Sequence, residues 1–373
     1  MKVHGPSELL NDVQKGGLCI GCGGCVDLCP YFRNYMGKTA MLFPCTLTQG
    51  RCYAHCPKAE VDLQELARRY WGEDYTGSPL GCHREILGAR AGKKFQMWRF
   101  QGGGTVSALV ASALKSGRIE AAVLTDRSGF EPVPKVVTQW EDVGRCGTSK
   151  FIAAPTLAAL NKAVREGKGR LGVVGTPCQM TSVAQMRLNP LGREDFSDPV
   201  ALAVGLFCNW ALDHRTLKAY LEKRLDVNGI LAMDIPPPPA NVLVLETASG
   251  KVEISLDEIR PLIPQTCFIC PDMTSEWADV SVGMYEGRPG WNTLIVRTDR
   301  GADLVEQARS DGFLETEPMP EGYVKSLSAA ALQKKQRALR TAAMREVLNV
   351  NEDGKRSALR VPPEVVNAIL AAQ

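Results

Sequence analysis

The sequence lacks the features that would place the protein in a membrane or on nucleic acid. Among its 373 residues no apolar run reaches transmembrane length, and the N-terminus has no signal-peptide core. The formal net charge is only +3, and no segment gathers the basic and aromatic residues that nucleic-acid binding needs. We therefore expect a cytoplasmic globular protein with no membrane span and no nucleic-acid partner.

Cysteine, in contrast, is abundant. The chain has 13 cysteines, which in a reducing cytosol indicate metal ligands rather than disulfides. Cys19, Cys22, Cys25 and Cys29 follow the pattern C-x2-C-x2-C-x3-C, and Pro30 closes the run. Two-residue spacers let one tight loop present three thiolates to a [4Fe–4S] cube. A zinc knuckle or a disulfide-rich loop is the alternative, and the spacing favours iron–sulfur.

A second cysteine group repeats the end of the first. Cys52-x3-Cys56-Pro57 matches Cys25-x3-Cys29-Pro30, which indicates an imperfect ferredoxin-type duplication with Cys45 upstream. In two-cluster ferredoxins the fourth cysteine of a run serves the other cluster. One cluster is therefore predicted on Cys19, Cys22, Cys25 and Cys56, and another on Cys29, Cys45 and Cys52. The fourth ligand of the second cluster stays open, with Cys82 and His55 as candidates.

Short apolar strands alternate with helical patterns beyond a boundary at residues 77–79. Strands are expected at residues 121–125, 171–175 and 200–207, and helices at 106–116, 155–165 and 215–224. This alternation indicates an α/β core with a largely parallel or mixed sheet. We divide the chain into a ferredoxin-like α+β iron–sulfur domain (1–76), an α/β domain (77–320) and a C-terminal helical tail (321–373).

Three smaller segments complete the expected architecture. Residues 31–40 are predicted to be a loop or an insertion, and residues 242–245 and 251–254 a hairpin. Residues 329–349 are predicted to form a basic amphipathic helix. Its cationic face is expected to be solvated rather than to dock an acidic partner, and comprises Lys334, Lys335, Arg337, Arg340 and Arg345.

Four further cysteines lie far from the first two groups. Cys178 and Cys208 each follow a predicted strand, and Cys267 and Cys270 form a C-x2-C pair. The carboxyl ends of parallel strands meet at one edge of a sheet, where α/β proteins place their sites. The sequence thus predicts a four-thiolate site, against the alternative of buried inert cysteines. Cys146 has no partner in sequence and is interpreted as structural.

Glycine-rich segments suggest an anion site near these cysteines. Gly102, Gly103 and Gly104 precede a helix that begins with Thr105 and Ser107, so backbone amides can approach a phosphate. The run matches neither the dinucleotide fingerprint nor the Walker pattern.

Two other stretches could contribute to the same site. Ser149 and Lys150 could add a phosphate contact or meet a flavin edge. A second glycine-rich stretch could close over a flat ligand, or it could be a surface loop. Its residues are Gly283, Gly287, Gly290, Trp291 and Arg297.

The chain resembles the beta subunits of coenzyme F420-reducing hydrogenase and F420-dependent formate dehydrogenase from about residue 17 to about 320. The resemblance rests on ordered motifs, of which residues 267–283 are the most specific. These motifs are residues 19–30, 101–107, 147–150, 175–179, 205–208, 267–283 and 290–298. The irregular group of Cys45, Cys52 and Cys56 departs from a regular ferredoxin pattern.

The resemblance implies an iron–sulfur flavoprotein oxidoreductase. It implies FAD near the glycine-rich loop, a [4Fe–4S] cluster on Cys178, Cys208, Cys267 and Cys270, and two or three clusters in all. Electrons would pass between a hydride carrier, F420 or NAD(P)H, and one-electron carriers. Those carriers would be the redox subunits of a hydrogenase, dehydrogenase or reductase complex, or ferredoxin. Lys150, Thr176 and Arg297 are candidates for polar contacts to the flavin or the carrier.

Two other functions remain open from sequence. A ferredoxin-dependent reductase of an organic substrate would need a proton donor near the flavin, and Asp272, Glu276 or Asp279 could serve. A non-catalytic subunit that only conducts electrons would need no flavin turnover. Relatives in the wider family reduce chlorophyll-type pigments, so the fold does not fix the substrate.

Overall fold

The computed structural model describes residues 2–98, 100–191, 197–350 and 354–372. The strands in these ranges are β1 (Phe32–Tyr35), β2 (Lys38–Met41), β3 (Val61–Asp62), β4 (Glu85–Ala91), β5 (Ala121–Ser128), β6 (Glu131–Val137), β7 (Leu171–Gly175), β8 (Val200–Leu206), β9 (Ile230–Asp234), β10 (Val242–Thr247), β11 (Gly250–Ser255), β12 (Val280–Met284), β13 (Asn292–Val296), β14 (Leu314–Pro318), β15 (Leu348–Asn349) and β16 (Leu359–Arg360).

The helices surround these strands. They are α1 (Pro6–Glu8), α2 (Arg51–Ala54), α3 (Leu63–Trp71), α4 (Thr105–Lys115), α5 (Thr156–Arg165), α6 (Pro177–Leu188), α7 (His214–Glu222), α8 (Leu256–Ile259), α9 (Asp299–Ser310), α10 (Glu321–Met344) and α11 (Pro363–Ala371). A π-helical segment covers Leu9–Lys15, and a short 3-10 turn covers Gln265–Ile269. No described helix is long and apolar enough to cross a membrane.

One eight-stranded mixed sheet organises the chain, in the order β14-β4-β13-β12-β8-β7-β5-β6. The four adjacent strands β12, β8, β7 and β5 are parallel, whereas β13, β4, β14 and β6 pair antiparallel with their neighbours. The predicted α/β core with a mixed sheet is confirmed. The predicted strands and helices between residues 106 and 224 are all present, with no end shifted by more than three residues.

Helices bury both faces of the sheet. Along β8, Leu202 and Val204 pack with α4 and α9, whereas Val200 and Ala203 pack with α5 and α6. Successive side chains of a strand point to opposite faces, so a strand covered on both sides becomes continuously apolar. This burial explains why the central strands were readable as short apolar runs.

The segment of residues 31–40 is a hairpin, so its prediction as a loop was wrong. Strands β1 and β2 pair antiparallel, with Tyr35 opposite Lys38. The two turn residues, Met36 and Gly37, have φ values of 46° and 72°. A two-residue turn with positive φ at both positions matches the twist of a hairpin. The predicted second hairpin is present as β10 and β11, which join β9 in a separate three-stranded sheet.

The C-terminal segment returns to the part of the chain that carries the first cysteines. Strand β16 pairs with β15 and with β3, both in parallel. Helix α10 begins at Glu321, eight residues before the predicted start at 329, and ends at Met344. Lys334 and Lys335, predicted on a solvated face, are instead 3% and 0% exposed. That prediction was wrong because both ammonium groups have buried oxygen partners, described below.

Candidate functional site

A large cavity lies at the carboxyl edge of the four parallel strands. Its volume is about 980 Å³, and its lining includes the ends of β5, β7, β8 and β12 at Thr125, Gly175, Leu206 and Gly283. Ligands of open α/β sheets bind at this edge. The cavity therefore lies where a ligand site is expected from the parallel order of the strands.

The glycine-rich loop forms one wall of the cavity. Gly102, Gly104, Thr105 and Ser107 line it, and α4 begins at Thr105. Gly104 has φ of 73°, and a Cβ there would lie 2.4 Å from the Phe100 ring. The loop therefore brings backbone amides and a helix N-terminus to the cavity.

The middle glycine of the run, Gly103, has a packing role. A Cβ on Gly103 would lie 2.6 Å from Asn292 Oδ1, and Gly103 itself is not part of the cavity lining. Thr105 Oγ1 is buried at the start of α4, and no described residue offers it a hydrogen-bond partner. Such an orphaned hydroxyl beside the helix N-terminus suits a bound polar ligand.

Two cations, Lys150 and Arg127, lie at the loop of residues 147–150. Lys150 lines the cavity, and its Nζ donates to Cys146 O at 2.9 Å. Burial, with the nearby positive charge of Arg127, lowers the pKa of Lys150 to about 8. Arg127 Nη2 donates to Ser149 O, whereas Nε and Nη1 are buried and have no hydrogen-bond partner among the described residues. Two desolvated cations with spare donors suit an anionic group such as a phosphate.

Thr176 is placed between the strand edge and a cysteine. It is the N-cap of α6, and its backbone N–H donates to Gln179 Oε1 at 2.9 Å. Its Oγ1 lies 3.3 Å from Cys178 Sγ. Because Thr176 also lines the cavity, its hydroxyl can hydrogen-bond either a ligand in the cavity or the sulfur of Cys178.

Arg297 was a wrong choice for a ligand contact. The side chain is 2% exposed and does not line the cavity. Its guanidinium donates to Leu80 O and Cys82 O at 2.8 Å each, to Ser281 Oγ at 2.8 Å and to Thr274 O at 3.1 Å. Arg297 therefore anchors the backbone around residues 80–82 and 274, with its donors spent inside the protein.

The glycine stretch that runs from the end of β12 towards β13 contributes less than predicted. Gly283 lines the cavity, whereas Gly287, Gly290 and Trp291 do not. A Cβ on Gly287 or Gly290 would meet nothing within 4 Å, as in an open turn. The Trp291 ring instead has the Arg90 guanidinium 4.7 Å from its centroid. This stretch is a surface loop.

Four cysteines, which we call the inner set, share the cavity with the glycine-rich loop. They are Cys178, Cys208, Cys267 and Cys270. Cys178 lies in the first turn of α6 and Cys208 follows β8, so both come from strand ends, whereas Cys267 lies in the 3-10 turn. The four cysteines that the sequence pattern groups together therefore line the same cavity.

The chemistry of the inner set suits a cationic centre. Burial, with a smaller effect of the Cys270 thiol, raises the pKa of Cys178 to about 11, and burial raises the pKa of Cys208 further. Such thiols stay neutral on their own, and become thiolates when a bound metal compensates the charge. All 13 cysteines are free of disulfides. Converging free thiols in a buried site fit an iron–sulfur cluster.

The loop that carries Cys267 and Cys270 is fixed by buried ionic groups. Asp272 accepts from the backbone N–H groups of Thr274 and Glu276, each at 2.9 Å. Lys334 of α10 donates to Asp272 O at 2.7 Å and also to Cys208 O. Lys335 pairs with Glu276, and both side chains are buried. Helix α10 thus holds the backbone on which the inner set depends.

The N-terminal cysteine run packs against α5. Cys22 O accepts from Leu157 N at 3.1 Å, and Asn161 Nδ2 donates to Gly24 O and Val26 O. A second, small cavity is enclosed there, and four cysteines line it: Cys19, Cys22, Cys25 and Cys56. We call these four the proximal set. They are the residues that the crossed ferredoxin pattern selects from sequence.

The three other N-terminal cysteines, Cys29, Cys45 and Cys52, also lie near one another. Burial raises the pKa of Cys52 to about 12, and the thiols of Cys29 and Cys45 are close enough to add to the shift. Cys82 lies elsewhere, because its charged neighbours in the described chain are Glu73, Glu276 and Arg297.

His55 was the other candidate for the fourth ligand of this group. It is buried against α6, where its carbonyl accepts from Ser182 Oγ at 2.7 Å, and its Nε2 has no partner. Burial lowers the pKa of His55 to about 4. Nothing in the described chain places its ring beside Cys29, Cys45 and Cys52.

Among the described residues, no group of three or more His, Cys, Asp or Glu side chains is placed so that it could hold a metal ion. A [4Fe–4S] cube carries its four thiolates on four different irons, so its ligands stand further apart than those of a single metal ion.

Comparison with known proteins gives a consistent result. Two family models of the coenzyme F420 hydrogenase/dehydrogenase beta subunits match, the one for their N-terminal part over residues 86–161 and the one for their C-terminal part over residues 168–322. The beta subunit of the coenzyme F420 hydrogenase of Methanothermobacter thermautotrophicus is 31% identical over 279 residues, covering 73% of this chain and 98% of the relative.

Two further likenesses extend the comparison. One subunit of the F(420)H(2) dehydrogenase of Methanosarcina mazei is 29% identical and covers 83% of this chain and 87% of the relative. A chain in a structure of the F420-reducing [NiFe] hydrogenase complex from Methanosarcina barkeri superposes with a TM-score of 0.64 at 26% identity, covering 71% of this chain and 94% of that chain. From the matched models and the extent of these alignments, the chain belongs to the family of coenzyme F420 hydrogenase/dehydrogenase beta subunits.

Proposed function

We propose that this chain is an iron–sulfur flavoprotein subunit that moves electrons between a hydride carrier and one-electron carriers. The observation that carries the proposal is that the inner cysteine set and the glycine-rich loop line one cavity. A hydride acceptor and a one-electron acceptor can then lie side by side. The carrier would be F420, which the names of the relatives contain, or NAD(P)H.

The cavity suits FAD in size and in charge. Its volume of about 980 Å³ is near the upper end of the roughly 300–1,000 Å³ usual for cofactor pockets. Gly102, Gly104 and the N-terminus of α4 would receive the phosphates, and Ser149 and Lys150 would contact them from the neighbouring loop, where Ser149 N donates to Gln101 Oε1 at 2.9 Å. When bound, the flavin would supply both hydride and single-electron transfer.

The protein contributes position and electrostatics. Thr176 would hold a polar atom near Cys178, and Arg127 would add a positive charge behind the phosphates. Residues 236–239, four prolines that line the cavity, would restrict the entry of water. Clusters would occupy the inner set, the proximal set and, as a third site, the group of Cys29, Cys45 and Cys52.

The arrangement of the cysteine sets supports a path for electrons. Ile20, Cys22 and Lys58 line both the large cavity and the small one. The proximal set is thus adjacent to the inner set, and the third group lies next to it along the chain. Electrons would leave through these clusters to partner redox subunits or to ferredoxin.

The direct reduction of an organic substrate receives no support from the three candidate proton donors. Asp272, Glu276 and Asp279 are all buried, and none lines the cavity. Asp279 accepts from Ala203 N at 2.8 Å and from Thr298 Oγ1 at 2.7 Å, so it holds two elements together. These carboxylates are structural groups beside the cysteines.

Cofactor content tests the proposal. Protein purified without oxygen should contain one FAD and, for two or three [4Fe–4S] clusters, roughly eight or twelve irons with equal sulfide. Zinc without iron, or the absence of flavin, would contradict the proposal.

Flavin affinity should depend on pH through Lys150. Because its pKa is lowered to about 8, Lys150 is charged below that pH and loses its charge as the pH rises through it. We expect FAD to bind about tenfold more weakly at pH 9.5 than at pH 6.5, since one charge-assisted phosphate contact is lost. Equilibrium dialysis of the flavin-free protein at both pH values measures the effect.

Two substitutions provide the controls for this prediction. Lys150→Arg keeps its charge across the range and should bind FAD with little pH dependence. Lys150→Met should bind weakly at both pH values. A Lys150→Met protein with the full wild-type pH dependence would show that another group is responsible.

A further inference from the structure

Lys58 is a buried cation for which the described part of the chain offers no carboxylate partner. Its side chain is 6% exposed, and its Nζ donates to Thr266 O at 3.1 Å. Within the described residues, no Asp or Glu lies at ion-pair distance from this ammonium group. An unpaired charge inside a protein is costly, so a compensating negative charge has to lie nearby.

The position of Lys58 identifies where that charge would come from. Lys58 follows Cys56 of the proximal set by two residues, and its hydrogen-bond acceptor, Thr266, directly precedes Cys267 of the inner set. It is also one of the three residues that line both cavities. One side chain therefore joins the two cysteine sets, through a hydrogen bond between residues that are 208 positions apart in sequence.

Lys58 lies beside cysteines of both sets, because it lines the large cavity of the inner set and the small cavity of the proximal set. Lys334 is different. It lines the large cavity only, and its Nζ contacts Cys208 O and Asp272 O beside the inner set.

We propose that Lys58 is a counter-charge shared by the clusters of the proximal and inner sets, and that it makes both easier to reduce. The proposal rests on the proposed function, in that both sets must hold clusters. A cluster gains one negative charge when it accepts one electron, and a fixed positive charge between two clusters stabilises both reduced forms. Lys58 is a positioning and electrostatic residue and donates no proton in this step.

Redox titration of the loaded protein tests the inference. In Lys58→Met, one-electron reduction of both clusters should be disfavoured about tenfold, a shift of about 59 mV to more negative potential. Lys58→Arg keeps the charge and should titrate within a fewfold of the wild type. The titration uses dithionite with mediators and follows the EPR signals of the reduced clusters, so it does not depend on turnover.

Lys334→Met is the matched control, since it removes a buried ammonium beside the inner set only. It should shift one of the two titrations and thereby identify the inner cluster. A Lys58→Met protein in which neither cluster shifts, or only one does, would overturn the inference. Iron and sulfide are measured on every variant: absent clusters in the wild type would contradict the proposed function, whereas normal clusters with unshifted potentials would contradict the role of Lys58 alone.

Discussion

Replacement of Cys208 by alanine is expected to remove one cluster and to interrupt electron flow inside the protein. Cys208 belongs to the inner set and follows β8, so the substitution leaves the proximal set and the glycine-rich loop in place. The iron content should fall by about four atoms per chain, the content of one [4Fe–4S] cluster. FAD should remain bound and accept hydride, while reduction of the N-terminal clusters by the same donor should slow by orders of magnitude.

Cys146→Ala is the matched control for this experiment. Cys146 also lines the cavity but lies outside the inner set. Its backbone carbonyl accepts a hydrogen bond from Lys150 Nζ, and the substitution keeps this carbonyl. This variant should retain the full iron content and normal electron flow. Full iron content in Cys208→Ala, or an equal loss in Cys146→Ala, would contradict the assignment of the inner set.

Replacement of Lys335 by methionine is expected to destabilise the protein strongly. Lys335 and Glu276 form an ion pair whose side chains are 1% and 4% exposed, and Lys335 Nζ also donates to Tyr75 Oη at 3.2 Å. Removal of the lysine leaves a buried carboxylate without its partner, which costs about 3–5 kcal/mol. Urea denaturation of the loaded protein under anaerobic conditions should show this loss in the free energy of unfolding.

Two further variants separate the buried pair from a general effect on α10. The pair of Lys325 and Glu321 lies on the same helix with side chains 74% and 82% exposed, so Lys325→Met should cost no more than about 1 kcal/mol. The double variant Lys335→Met/Glu276→Leu removes both charges and should recover most of the loss. Equal losses for Lys335→Met and Lys325→Met would contradict this account.

The sequence was sufficient to predict the central strands of the sheet, because their burial on both faces produces the apolar pattern from which strands are recognised. Strands β7 and β8 are covered on both faces, so they read as continuous apolar runs, and Cys178 and Cys208 at their ends could be placed at one edge. The glycine-rich loop was predicted from its run of glycines, and at Gly103 and Gly104 a Cβ would clash with neighbouring atoms.

Other features depend on partners distant in sequence, which no local pattern reveals. Lys334 and Lys335 belong to a helix with a basic composition, and they are buried because oxygens of Asp272 and Glu276 meet them. Arg297 matched a ligand contact by residue type, but its donors are taken by carbonyls around Leu80.

Two residues of the candidate site were missed for the same reason. Lys58 follows a cysteine motif, and nothing in that motif shows that its ammonium reaches Thr266. Arg127 lies in β5, outside every motif, and only the unpartnered Nε and Nη1 atoms draw attention to it. The short turn signal at Gly37 was available, since a glycine between two short strands is typical of a hairpin.

The most direct test of the central claim is a rapid-mixing reduction of the loaded protein without oxygen, with reduced F420 and NADH supplied separately. Flavin absorbance and the EPR signals of reduced clusters are followed together. The proposed function predicts that one of these hydride donors bleaches the flavin band and that the clusters then become reduced, with two one-electron equivalents appearing per hydride. If neither donor reduces the flavin while reduced ferredoxin reduces the clusters, the conversion of hydride to single electrons is contradicted.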